Sequence, residues 1–107
     1  MSALYRTYGS TEKIRFVLLF PDGDLHNSAT LAAGDFRIKK DSGGWADVFN
    51  LPVNEDEGWY SWTPTAAEMQ AKQIVFKGYD ATVPQDWVFQ TLYIETGGHP
   101  ASMWPGT

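Results

Sequence analysis

Two histidines, a scatter of carboxylates and five tryptophans are the side chains of this sequence best suited to chemistry. His26 and His99 lie in segments without strand or helix periodicity. No third ligand or H-x-x-x-H spacing accompanies either, so both read as solvated loop histidines and no metal is expected. Asp22-Gly23-Asp24 and Asn54-Glu55-Asp56-Glu57 carry hard oxygen donors without the ligand spacing of an EF-hand loop, and they read as a turn and an acidic loop. No serine sits in a G-x-S-x-G elbow, and no glycine-rich stretch matches a phosphate or dinucleotide loop. Two carboxylates meeting in space would give glycosidase-like acid–base chemistry whatever their spacing, but a small domain offers few clefts deep enough for it. The expectation is a protein that is not an enzyme and uses no cofactor.

The tryptophans carry more information. Trp45, Trp59, Trp62, Trp87 and Trp104 each bury a large area and bring an N–H that seeks an acceptor. The core of one small domain accommodates two or three of them, which leaves the others for contact with a partner or for stacking on sugars. Trp45, Trp59, Trp62, Met103 and Trp104 are the candidate partner-binding residues. Trp104 leads, because it stands in a proline-flanked tail; the competing reading is a tail folded back over its own domain.

These side chains must be positioned by a single domain, since 107 residues close one hydrophobic core. A formal net charge of −5 argues against nucleic acid and against anionic membrane as the main partner, because both call for clustered Lys and Arg. A protein partner is favoured. Cysteine is absent, so neither a disulfide nor a Cys-based zinc site is available. The N-terminal residues lack the basic and apolar regions of a signal peptide, and the apolar run Phe16 to Phe20 is too short to span a bilayer.

Strand signals dominate the chain. Tyr5 to Tyr8 predicts a short leading strand, and Lys13 to Phe20 a strand that enters the interior as its alternation gives way to a continuous apolar run. Pro21-Asp22-Gly23-Asp24 ends it in a turn. Residues 25–34 read as a connection. Residues 35–49 predict a hairpin, with Phe36 and Ile38 alternating with Arg37 and Lys39 before the Asp41-Ser42-Gly43-Gly44 turn. Trp59 to Thr63 is strand-like by its aromatic content, and Thr65 with Glu68 matches a capping box opening a helical turn over residues 66–70. Gln73 to Tyr79 and Trp87 to Glu95 predict two more strands, the last aromatic on one parity (Trp87, Phe89, Tyr93) and aliphatic on the other. Short strands, frequent turns and one helical turn point to an all-β antiparallel sandwich over residues 1–96. Residues 97–107, with two prolines, predict an extended C-terminal arm.

Three segments share a further pattern: Asp35-Phe36-Arg37-Ile38-Lys39-Lys40-Asp41-Ser42-Gly43, then Glu57-Gly58-Trp59 through Thr63-Pro64-Thr65-Ala66-Ala67-Glu68-Met69, then Ile94-Glu95-Thr96-Gly97-Gly98-His99-Pro100-Ala101-Ser102. This succession resembles small structural proteins of tailed bacteriophages, although Trp59 and Trp62 stand where smaller residues are expected. The resemblance implies an immunoglobulin-like sandwich, made in the host cytoplasm and incorporated into the virion, where its partners are capsid or tail proteins. A decoration or cement protein is the leading expectation, with the arm from Gly97 ordering on binding, Trp104 as its anchor and Met103 beside it. The alternative is a tail fibre or baseplate module binding a receptor or carbohydrate, for which two or more of Trp45, Trp59 and Trp62 must form a coplanar exposed platform. A homo-oligomer is compatible with either position, and no residue specifies its symmetry.

Overall fold

The computed structural model describes residues 3–41, 43–80, 85–89 and 91–104. Its strands are β1 (Ala3–Thr7), β2 (Ile14–Val17), β3 (Phe36–Lys40), β4 (Trp45–Asp47), β5 (Val53–Asn54), β6 (Trp59–Trp62), β7 (Gln73–Gly78) and β8 (Leu92–Gly97). They form two sheets, one in the order β1-β8-β7-β3-β4 and one in the order β2-β6-β5. Neighbours are antiparallel except β1 and β8, which run parallel in the register Tyr5↔Glu95 and Thr7↔Gly97. The fold is the all-β sandwich that the alternating pattern predicts.

The period of two along each strand decides what lies between the sheets. Ile14 and Phe16 of β2 and Tyr60 and Trp62 of β6 face Phe36 and Ile38 of β3 and Ile74 and Phe76 of β7, all buried. Aromatic rings join the layers: Trp62 stacks on Phe76 with centroids 4.3 Å apart, and Phe36 lies 5.2 Å from Trp87 and nearly parallel to it. Phe89 meets Phe16 edge-on at 4.8 Å. Trp87 also donates its indole N–H to the Thr30 carbonyl, 3.2 Å away. Trp62, expected at a binding surface, is fully buried instead, because its parity on β6 points it inward.

Local chemistry behaves as its residue types require. In the turn after β2, Gly23 takes a φ of 99° and its N–H reaches the Phe20 carbonyl at 2.9 Å. The capping box closes reciprocally, with Thr65 N–H donating to Glu68 Oε1 (2.7 Å) and Glu68 N–H to Thr65 Oγ1 (3.2 Å). The helical turn it opens is a short 3-10 segment, Ala67–Met69. Glu68 Oε2 also accepts from Phe49 N–H at 3.0 Å, tying the chain between β4 and β5 to this turn.

Three expectations are corrected. The strand expected over 87–95 is divided: Val88 pairs with Leu19, which prolongs the small sheet's edge, whereas β8 belongs to the large sheet. The change of sheet reverses the parity, so Phe89 packs on the core while Tyr93 is on the outer face beside Val75. His26 is buried, not solvated. Its ring stacks on Phe20 at 3.9 Å, Nε2 lies 2.8 Å from Asp86 Oδ2, and Nδ1 accepts from Ser28 N–H at 3.2 Å, so the neutral ring carries its proton on Nε2, directed at the carboxylate. Finally, the chain after β8 turns back on the domain through residue 104 and does not leave as an arm. Gly98 N–H donates to the Trp104 carbonyl (2.8 Å), Trp104 N–H to the Thr96 carbonyl (3.0 Å), and Trp104 bridges Gly97 in parallel. Ser102 is buried at the centre of this return, donating to the His99 carbonyl at 2.6 Å, and His99 stacks on Tyr8 at 4.1 Å. Backbone groups that an extended arm would leave to water are thereby paired within the domain. Residues 105–107 of the expected arm lie outside the described residues.

Candidate functional site

Four of the five candidate residues lie at or near the surface, in different places. Trp45 is on the outer face of β4, paired with Lys39 across the ladder, and the Lys77 ammonium sits 4.2 Å above its ring. Trp59 is on the outer face of the other sheet, opposite Val17. These two rings therefore look away from each other across the thickness of the sandwich. With Trp62 buried between the layers, the platform of Trp45, Trp59 and Trp62 required by a sugar-stacking reading of those residues is not formed. Met103 is half-buried near Asp41, Lys72 and Gln73. Trp104 is exposed at 55% and donates its indole N–H to Glu95 Oε1, 3.0 Å away.

Two surface features emerge that residue type alone did not single out. The first is the side of the sandwich on which the chain passes from β4 to β5. Each of these strands is the last of its sheet, so this side displays an edge from both layers that no further strand pairs among the described residues. The connection buries Val48 and Pro52 against the domain and turns other apolar groups to solvent: Phe49 is 81% exposed and Val53 62%, with Leu51 and Trp45 also exposed. Asn50 anchors it through a 2.8 Å hydrogen bond from its amide to the Thr63 carbonyl, and Glu68 holds the Phe49 N–H. The exposed rings thus ride on fixed backbone. A run of apolar residues in a connection between strands is the signal that marks this side in the sequence.

The second feature is a groove of about 540 Å³ at the opposite end of the large sheet, where β1 is the edge strand. Tyr5, 64% exposed, and Trp104 stand on either side of Glu95 on the outer face, with Arg6 and Glu12 also lining the groove. Next to Glu95, the Tyr93 hydroxyl is held above the usual tyrosine range by burial first and then by the negative charge of the Glu95 carboxylate.

Among the described residues, no group of three or more His, Asp or Glu side chains is arranged to hold a metal ion, and no helix is long and apolar enough to cross a membrane. Comparison with protein-family models, with curated proteins and with solved structures returned no match.

Proposed function

We propose that this protein is a non-enzymatic structural component of a tailed-phage virion, a decoration protein that docks on the capsid through the β4–β5 side. The observation that carries the docking surface is the coincidence there of two sheet edges, open among the described residues, with Trp45, Phe49, Leu51 and Val53 exposed on an anchored backbone. A soluble domain that leaves apolar groups on open edges invites association, so a covered working state is the economical explanation. The occupant is the coat protein, supplying an extended segment to pair with an edge and apolar pockets for Phe49 and Val53. The virion assignment rests on the phage-like pattern of the three sequence segments. Binding confined to the assembled lattice would add stability by mass action without chemistry.

The test is co-sedimentation of the purified chain with particles stripped of it. Phe49→Lys combined with Val53→Lys is expected to leave the melting temperature within a few degrees of wild type and to abolish sedimentation with the particles. Undiminished binding by the double variant would move docking elsewhere, and failure of the wild-type chain to bind any particle would remove the decoration role.

A further inference from the structure

From the groove between Tyr5 and Trp104 we infer a saccharide-binding site, independent of the docking side and standing whether or not that side binds a capsid. Its geometry follows from strand register. On the parallel β1–β8 pair, Tyr5 is the partner of Glu95 and shares its outer face; on the other side of β8, past the start of β7 at Gln73, the returning chain places Trp104 beside Gly97, with its indole N–H reaching back to Glu95. The next outward position on β8 is Gly97, whose lack of a side chain leaves the floor of the groove open. Two exposed aromatic rings therefore flank a carboxylate over a hollow of about 540 Å³, a volume typical of small-molecule sites.

The polar groups define the ligand. Glu95 is oriented by the Trp104 indole N–H, a neutral donor, and Glu12 adds a second carboxylate to the wall. Arg6 also lines the groove, and its Nη1 donates to the Tyr5 carbonyl at 3.0 Å. A cationic ligand would meet the Arg6 guanidinium, and an anionic one would meet both carboxylates. A neutral polyhydroxylated ring suits all of these groups, because each hydroxyl donates to a carboxylate or accepts from a guanidinium while the C–H face lies on tyrosine or tryptophan.

The experiment is to probe an array of neutral and charged oligosaccharides with the labelled full chain, then titrate each bound sugar by calorimetry at low and high salt. At least one neutral oligosaccharide is expected to bind with little salt dependence. Trp104→Ala and Tyr5→Ala are each expected to weaken it by about tenfold or more, the loss of one stacked ring. Trp59→Ala, on the other sheet, serves as the control that retains affinity. Glu12→Gln, an exposed change that leaves the Trp104–Glu95 bond intact, gives a second reading if Trp104→Ala disturbs the C-terminal return. The inference is overturned if no neutral saccharide binds, if binding survives both aromatic substitutions, or if only charged sugars bind and salt abolishes it. Particle co-sedimentation, read with the Phe49 and Val53 variants, reports the docking side separately.

Discussion

The interior and the rim of this sandwich use the same residue type for different ends. Trp62 and Trp87 are fully buried and stack on Phe76 and Phe36, whereas Trp45, Trp59 and Trp104 keep a face in solvent. The contrast is sharpest within β6, where Trp59 and Trp62 are three residues apart on one strand. An odd spacing on a period of two sends one indole outward and the other into the core. Composition alone therefore overstates how many aromatic side chains can serve one surface, and strand parity is what separates the packing tryptophans from the available ones.

That division is most easily broken at its centre. Trp87→Ala and Trp62→Ala are each expected to cost about 3–5 kcal/mol in urea denaturation, through lost burial and a large cavity. Trp59→Ala should stay within about 1 kcal/mol, as befits a half-exposed site. Equal losses at Trp59 and Trp62 would collapse the distinction between interior and rim.

The next effect concerns how closely backbone approaches those rings. A Cβ added at Gly78 would fall 2.5 Å from the buried Phe36 ring, which is held between Phe76 and Trp87. At Gly58, φ is +85° and an added Cβ would lie 2.7 Å from the Leu25 Cβ. Alanine at either position should destabilise by about 1–3 kcal/mol through overpacking, with left-handed backbone strain added at Gly58. Thermal melts of the two variants measure this, and wild-type stability in Gly78→Ala would mean that the Phe36 ring is free to move.

The smallest expected effect belongs to the rim. Tyr93 should lose its proton at a higher pH than an ordinary tyrosine, whose value is about 10, because burial and the neighbouring Glu95 both disfavour the phenolate. With the folded value raised above the unfolded one, the associated stabilisation is fully present at neutral pH and is lost as pH rises through the folded value. Ultraviolet titration checks this. Glu95→Gln is expected to bring the Tyr93 midpoint down part of the way, leaving the contribution of burial.

Much of the fold was legible because local signals agreed with one another. The alternation around Phe36 and Ile38, the turn at Gly23, and the Thr65–Glu68 box each specify a structure within a few residues, and each formed. What was not legible depends on pairing between distant segments. The run after Trp87 reads as one continuous strand, yet its first part bridges Leu19 and its second part enters the other sheet. His26 looked like a loop histidine because its burial is supplied by Phe20 and by Asp86, the latter 60 residues away. The groove was hidden for the same reason. Tyr5 and Glu95 become neighbours only through the parallel β1–β8 register, and Trp104 joins them only because the tail returns. The unusable platform of Trp59 and Trp62, by contrast, could have been excluded from their spacing alone.

Cryo-electron microscopy of the virion whose genome encodes this chain tests the central proposal most directly. The expected result is density for the sandwich repeated over the capsid surface, with Phe49 and Val53 buried against the coat protein. Absence of the chain from the particle, or a capsid-bound chain with its β4–β5 side in solvent, would contradict it.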